Sequence, residues 1–218
     1  MCRRTHSLTA THWQHGVLST HGIGQATALG RRLGALGTTL HRVFASEAAR
    51  AQQTAEHMLA AMRAAPDNGH CQPDVEVADD ICEICMGGWT GKDKQACKTD
   101  DAVAARERDA WDWRPPGISD DERLPGESYH DVEERMHVFL ESLLVAATDS
   151  DTTSSVASGE STPTIAVFSH HAAIRCVLRA LVEASPRMLS PKLNLANTAI
   201  TELVYTADKT GRLGGWVR

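Results

Sequence analysis

The sequence predicts an α/β protein, a three-layer sandwich in which a mostly parallel sheet has helices on both faces. One observation is that short apolar strands alternate with amphipathic helices along the chain. A second is the segment 164–178 (TIAVFSHHAAIRCVL), where a strand leads through Ser169 and His170 directly into a helix. A third is the hydrophobic content of 42% in 218 residues, which is enough for one core. A single domain over residues 1–218 is therefore expected.

Each predicted element has its own hydrophobic period and is bounded by Gly, Pro or polar residues. In chain order, the elements are a helix over residues 22–36, a strand over 41–46, a helix over 47–63, a strand over 74–79, an irregular segment over 81–123 with a helical stretch near 101–112, a helix after Gly126, a strand over 165–168, a helix from 172 and a strand over 200–206. Alternation of this kind is typical of a parallel sheet that is covered by helices.

Apolar residues at helical spacing predict which helix faces are buried. In the first helix these residues are Ala26, Leu29, Leu33 and Leu36. In the helix after Gly126 they are Val132, Met136, Phe139, Leu140, Leu143 and Leu144. Two stretches are instead predicted to be flexible loops, namely residues 64–73, with Asn-Gly and two prolines, and the Ser/Thr-rich residues 147–163.

Charge and composition argue against several classes of function. The net charge of -6 and the lack of a basic stripe speak against a partner that is a nucleic acid or a membrane surface. No apolar stretch approaches the roughly 20 residues of a membrane span, and the first residues lack the apolar core of a secretory signal. Six scattered cysteines are typical of reduced thiols in a cytoplasmic protein. Cys82 and Cys85 form a C-x-x-C pair without the second pair of a zinc site, so no metal is expected.

His170 is the first candidate for chemistry because of its place at the end of a strand. Side chains just past the carboxyl end of a strand line the ligand crevice of an α/β protein, and the next helix offers free N–H groups there. A histidine at that position can meet an anion and transfer a proton.

Three other positions carry weaker signals. Arg50 lies one turn into a helix that follows a strand, so its guanidinium can reach back to phosphate oxygens, although alone it is more often a solvated helix arginine. Glu83 precedes a glycine turn that lets the backbone approach a ligand, but a lone glutamate there is usually a surface residue. The run Gly126-Glu127-Ser128 opens a helix and by itself indicates only capping.

Taken in order, six segments between residues 18 and 201 resemble those of the histidine phosphatase superfamily, the phosphoglycerate mutase-like proteins. The matching residues are Leu18, Ser19, Gly22, Gln25 and Ala26 for L-S-x-x-G-x-x-Q-A; Ser46, Arg50, Ala51, Thr54 and Ala55 for S-x-x-x-R-A-x-x-T-A; Glu83, Gly87, Trp89 and Gly91 for E-x-x-x-G-x-W-x-G; Gly126, Glu127, Ser128 and Arg135 for G-E-S with a later arginine; Ser169, His170, Ile174 and Arg175 for S-H-x-x-x-I-R; and Asn197, Thr198, Ile200 and Thr201 for N-T-x-I-T.

The resemblance implies a phosphoglycerate mutase-like fold and a phosphoryl-transfer mechanism. In the family, a histidine of an R-H-G motif attacks the phosphoryl group and becomes phosphohistidine, while arginines and a second histidine hold the phosphate oxygens without a metal. Carried over, Arg50 binds phosphate, Glu83 is the proton donor and His170 is the second histidine. His171 stands where relatives often have glycine, and its backbone donor adds to the phosphate site. No cofactor is implied, and the partner is a small-molecule phosphate ester.

The family's nucleophile has no regular counterpart in this chain. Relatives reach R-H-G through a buried apolar first strand, whereas this chain begins MCRRTH, and buried arginines without partners are costly. The first central strand is therefore predicted to be missing or altered, and the R-H-G segment truncated or degenerate. His6 is the nearest substitute for the nucleophile, whereas His12, His15 and His21 are expected to lie in loops.

The favoured function is a metal-independent phosphomonoester hydrolase that acts through phosphohistidine in the cytoplasm. One alternative is a catalytically inactive relative, or a truncated isoform, that binds phosphorylated ligands or a protein partner. Another alternative is a phosphoglycerate mutase, although the G-E-S and E-x-x-x-G-x-W-x-G segments resemble phosphatases more closely. The oligomeric state is left open, with a homodimer as one alternative.

Overall fold

The computed structural model describes residues 16–65, 72–117, 125–149, 163–185, 194–205 and 216–217. The helices in these ranges are α1 (Thr20–Ala35), α2 (Ala49–Arg63), α3 (Lys94–Cys97), α4 (Asp100–Arg108), α5 (Tyr129–Asp149) and α6 (His171–Leu181). The strands are β1 (Arg42–Ala45), β2 (Val75–Val77), β3 (Ile165–Phe168), β4 (Val204–Tyr205) and β5 (Trp216–Val217). Two short 3-10 turns, Asp79–Ile81 and Gly87–Trp89, lie between β2 and α3.

β1 is the middle strand of a parallel sheet with the order β2-β1-β3. In its register, Phe44 lies opposite Glu76 of β2 and Val167 of β3. The predicted parallel sheet is therefore confirmed, with three strands among the residues that the structure describes. β4 and β5 form a separate antiparallel pair. The expectation of a missing or altered first strand concerns residues 1–15, which lie outside the described ranges.

The strand side chains alternate between two cores on opposite faces of the sheet. Val43 and Ala45 lie on the face covered by α1 and α2, where they share a cluster with Met58. Phe44 lies on the other face, in a cluster with residues of α5 and α6. Its ring meets that of Phe139 edge-on, with the ring centroids 5.3 Å apart. Helices thus cover both faces, which confirms the three-layer arrangement.

α1 approaches α2 most closely at two glycines, and its Leu29 and Leu33, both half-buried, pack against the same core. A Cβ atom at Gly30 would lie 2.1 Å from the Met58 carbonyl oxygen. A Cβ atom at Gly34 would lie 2.8 Å from the Cβ of Ala65. The backbones approach this closely because neither glycine carries a side chain. The prediction that Leu36 is buried is wrong: it follows the last turn of α1, away from this contact, and is 68% exposed.

The start of α1 differs from the predicted one. The Ser19 hydroxyl accepts a hydrogen bond from Gly22 N at 3.2 Å and thereby caps a helix that begins at Thr20. His21 therefore lies in a helix, and the prediction of a loop is wrong there. His12 and His15 lie outside the described residues.

The end of α5 also differs from the predicted one, and for a local reason. α5 continues to Asp149, into the stretch predicted as a loop from residue 147, because Ala146 and Ala147 are strong helix formers. The rest of the two predicted loops, residues 66–71 and 150–162, lies outside the described ranges. β3 is half-buried along its length rather than buried, since within the described residues only β1 pairs with it.

Four cysteines lie in the described residues, and no disulfide joins any two of them: Cys82, Cys85, Cys97 and Cys176. Both members of the C-x-x-C pair are buried. Burial, followed by the nearby Glu133 carboxylate, raises the pKa of Cys176 to about 12, so this thiol is unreactive at neutral pH. In the described part of the chain, no helix has both the length and the apolar character that crossing a membrane requires.

Replacing Gly30 by alanine is expected to lower the free energy of unfolding by roughly 1–3 kcal/mol, because the new Cβ forces the Met58 backbone away. Gly24 is the matched control in the same helix, since nothing lies within 4 Å of the place where its Cβ would be. Gly24→Ala should stabilise the protein by about 1 kcal/mol through helix propensity. Urea unfolding measures both changes, and a stabilised Gly30→Ala protein would contradict the close contact between α1 and α2.

Candidate active site

Three polar side chains meet at the carboxyl edge of the central sheet. Ser46 directly follows β1, and His170 comes two residues after β3. Because β1 and β3 are parallel neighbours, their carboxyl ends lie side by side, and Ser46 N donates to Phe168 O at 3.0 Å. Arg50 lies in the first turn of α2, which begins at the same edge. The fold therefore brings residues from two distant parts of the chain to one place.

His170 is held by a hydrogen bond at each ring nitrogen. Its Nε2 lies 2.6 Å from Ser46 Oγ, and its Nδ1 lies 3.1 Å from Arg50 Nη2. The residue is only 7% exposed. Burial, and then the positive charges of Arg50 and Arg135, lower the pKa of His170 from 6.5 to about 3. The imidazole is therefore neutral at physiological pH while the site holds no anion.

Glu83 lies on the segment next to this edge. The Ser169 hydroxyl, beside His170, donates to the Ile81 carbonyl oxygen at 2.8 Å and fastens this segment to the end of β3. The Glu83 side chain is partly exposed, and its Oε1 accepts a hydrogen bond from Ile84 N at 3.0 Å. A carboxyl group in such a position can exchange a proton with a bound ligand.

Arg135 of α5 clamps the same segment. It donates from Nη1 to Asp80 O at 2.6 Å and from Nη2 to Glu83 O at 3.3 Å. Its Nε donates to Glu127 Oε1 at 3.0 Å, and the other oxygen of that carboxylate accepts from Cys85 N at 2.8 Å. The side chains of Arg135 and Glu127 are only 14% and 17% exposed, respectively. The pair thus fixes the backbone on both sides of Glu83 from one helix.

α6 begins directly at the site. His170 is its N-cap residue, with extended backbone dihedrals of φ -123° and ψ 163°. His171 is the first helical residue, and its side chain is exposed. The amides of a first helical turn have no acceptor within the helix, and the helix dipole favours an anion there. An anion at this edge would therefore meet the backbone of His171 rather than depend on its imidazole.

The structure brings two of the predicted site residues into direct contact, Arg50 and His170. It places Glu83 on the adjoining segment and His171 at the start of the adjoining helix. His6, the candidate nucleophile, lies outside the described residues. The described residues of the site are thus those suited to ligand binding and proton transfer.

Sequence reasoning assigns no chemical role to two further residues of the site, Ser46 and Arg135. Ser46 begins the segment S-x-x-x-R that contains Arg50, and Arg135 follows the G-E-S segment that contains Glu127. This spacing was the signal in the sequence that could have indicated a role for them. Their contacts to His170 and to the Glu83 segment join residues 124 and 52 positions apart in the chain. Such partners become evident only in the folded sheet.

These groups together suit an anion with tetrahedral oxygens. A planar guanidinium donates in a fork that matches phosphate oxygens, and the helix start adds backbone donors. A nearby carboxylic acid can supply a proton to a departing oxygen. Within the ranges that the structure describes, no cluster of His, Cys, Asp and Glu could hold a metal ion.

Comparison with protein families agrees with this geometry. The sequence model described as "Histidine phosphatase superfamily (branch 1)" matches residues 6–216. A comparison with curated protein sequences gave no significant match.

Several solved structures are similar in fold. A structure described as a mycobacterial hydrolase has a TM-score of 0.67 at 20% identity, covering 91% of this chain and 82% of its own. Mycobacterial glucosyl-3-phosphoglycerate phosphatase has a TM-score of 0.63 at 22% identity, covering 96% and 92%. Phosphoserine phosphatase from Entamoeba histolytica, in complex with 3-phosphoglyceric acid, has a TM-score of 0.58 at 21% identity, covering 92% and 81%. At such identities, the likeness concerns the fold.

His170 is expected not to titrate between about pH 5 and 8, because its pKa in the folded protein is about 3. The unfolded chain takes up this proton near pH 6.5, whereas the folded chain does not. The free energy of unfolding should therefore fall as the pH drops through that range. The imidazole C–H signals in proton NMR, assigned by their loss in His170→Asn, measure the titration, and a midpoint near neutral pH would contradict the buried contact.

Proposed function

The chain belongs to branch 1 of the histidine phosphatase superfamily, and from that membership we propose that it hydrolyses phosphate monoesters of small molecules without a metal or cofactor. The observation that carries the proposal is the contact of Arg50 with His170, with Glu83 on the adjoining segment. The similar structures include phosphatases of glucosyl-3-phosphoglycerate and of phosphoserine, which supports a small ester as substrate. The proposed location is the cytoplasm, since six cysteines scattered along the sequence are typical of reduced thiols.

The proposed reaction proceeds in two steps. The substrate's phosphoryl oxygens bind to Arg50, His170 and the first-turn amides of α6. In the first step, a histidine nitrogen forms a bond to phosphorus while the ester P–O bond breaks, and the Glu83 carboxylic acid protonates the departing oxygen. In the second step, a water oxygen forms a bond to phosphorus while the P–N bond to the histidine breaks, and the water gives one proton to the Glu83 carboxylate. The products are the alcohol and inorganic phosphate, and the enzyme returns to its starting state.

His6 is the proposed nucleophile. It is the candidate that the N-terminal sequence offers, and the family match begins at residue 6. Its partners in the site would be Arg50 and His170, which hold the phosphoryl group for in-line attack.

A second candidate function is binding without catalysis. The observation that favours it is the sequence MCRRTH, which lacks the apolar strand and the R-H-G motif that resembling phosphatases use for attack. In this case Arg50, His170 and α6 would still hold a phosphorylated ligand or partner. A phosphoglycerate mutase is the third alternative, and it would transfer phosphate between phosphoglycerates instead of releasing it.

The proposed hydrolase should release phosphate from an aryl phosphate such as p-nitrophenyl phosphate. His170→Ala is expected to lower kcat/KM by roughly 10²–10³-fold, because a donor to the transferred phosphoryl group is lost. His6→Ala should abolish turnover altogether, because no nucleophile remains. Release of nitrophenolate, followed by absorbance, measures both changes.

His137→Ala is the matched control for these variants. This histidine lies on α5 with a side chain that is 59% exposed, and its turnover should equal that of the wild type. If the wild type shows no turnover above His170→Ala, the hydrolase proposal fails and binding without catalysis takes its place. Exchange of phosphate between phosphoglycerates, without net release, would identify the mutase instead.

Glu83→Gln is expected to lower kcat by roughly 10²–10⁴-fold with an alkyl phosphate, since an alkoxide cannot depart without a proton. With p-nitrophenyl phosphate the first step should survive, because nitrophenolate needs no proton, and phosphohistidine should accumulate. Phosphate that stays on the protein in alkali and is released by acid measures the accumulated phosphohistidine. Glu134→Gln, at an exposed position of α5, is the control. A failure of phosphohistidine to accumulate with p-nitrophenyl phosphate would contradict the role of Glu83.

A further inference from the structure

We propose that Ser46 is a positioning residue, which accepts the proton of the neutral His170 imidazole and holds the ring so that its Nδ1 faces the Arg50 guanidinium in the phosphate site. The inference deepens the proposed function and rests on it for the identity of the ligand. It is based on two contacts of the His170 imidazole. Ser46 Oγ lies 2.6 Å from its Nε2, and Arg50 Nη2 lies 3.1 Å from its Nδ1.

The proton of the imidazole can be assigned from its two partners. A guanidinium has only N–H donors, so the ring nitrogen that faces Arg50 Nη2 must present a lone pair. That nitrogen is Nδ1, at 3.1 Å. In a neutral ring the proton is then on Nε2, which lies 2.6 Å from Ser46 Oγ and donates to it. In this site, His170 is therefore the neutral tautomer that carries its proton on Nε2.

Ser46 is suited to receive this proton because its own position is fixed by the sheet. The residue is 0% exposed, and its backbone N–H donates to the Phe168 carbonyl of β3 at 3.0 Å. Its Oγ also accepts a hydrogen bond from Ala48 N at 3.3 Å. The hydroxyl oxygen thus accepts from two directions, and its location depends on β1, β3 and the start of α2 together.

The alternative tautomer would disrupt the contact with Arg50. A proton on Nδ1 would point at the guanidinium N–H groups, so two donors would face each other in a buried place. The charged groups that act on the ring are Arg50 from α2 and Arg135 from α5, and both are positive. A protonated imidazole would meet the same repulsion. Arg50 therefore selects this ring state, and the Ser46 hydroxyl supplies the acceptor that the Nε2 proton needs.

The measurement is nitrogen-15 NMR of protein with labelled histidine, recorded between about pH 5 and 8. The chain has 11 histidines, so the His170 signals are identified by their absence from the His170→Asn spectrum. In the wild type we expect a protonated Nε2 and an unprotonated Nδ1 throughout. A proton on Nδ1 in the wild-type protein would overturn the proposal, and this reading requires neither activity nor a variant of Ser46.

The variant Ser46→Ala removes the acceptor and leaves the backbone contact with β3. We expect the Nε2 signal to shift in its spectrum, because this N–H loses its acceptor, and the dissociation constant for inorganic phosphate to rise about tenfold, as the loss of one hydrogen bond predicts. Calorimetric titration with inorganic phosphate at fixed pH measures the constant. Ser142→Ala is the matched control, since its hydroxyl donates to Phe139 O on α5 at 2.7 Å, away from the site. It should change neither reading.

The outcomes separate this proposal from the proposed function. An unchanged Nε2 signal and unchanged phosphate affinity in Ser46→Ala would overturn the positioning role of Ser46. An inactive wild type that binds phosphate and shows the expected tautomer would remove the hydrolase proposal while supporting the role of Ser46. In an active protein, Ser46→Ala should raise KM more than it lowers kcat, because the defect lies in how Arg50 is held.

Discussion

The parallel pairing of β1 with β3 is the constraint on which the rest of the site depends. It sets Phe44 opposite Val167 and carries Ser46 to the same sheet edge as His170. A shift of this register by one residue would exchange the two faces of β3 and would move the imidazole away from the serine hydroxyl. The geometry of the site is therefore a consequence of strand register, and the register follows from the two apolar cores on either side of the sheet.

Burying a histidine between positive charges is unfavourable for the free protein, and the site tolerates it because both ring nitrogens have partners. Ser46 and Arg50 satisfy the imidazole, and the ring stays neutral. A pKa that burial and specific charged neighbours depress strongly is typical of functional sites.

α5 links the core to the position of Glu83. Its apolar face, with Val132 and Met136 buried against the sheet, fixes the rotation of the helix. Arg135 lies beside that face, so its guanidinium reaches the carbonyl groups around Glu83 and the carboxylate of Glu127. Packing on one side of the helix thus controls the placement of a carboxyl group on the other.

Much of this protein could be predicted from its sequence, because hydrophobic period and motif order are local properties. The parallel sheet, the buried face of α5, and the site residues Arg50 and His170 follow from such patterns. The close contact of α1 with α2 at Gly30 and Gly34 does not, since it depends on how closely two helices approach. Nor does the bond of Ser46 to His170, which joins residues 124 positions apart. The sequence determined which groups the site contains, whereas tertiary structure decided which of them touch, because strand register and helix packing set those distances.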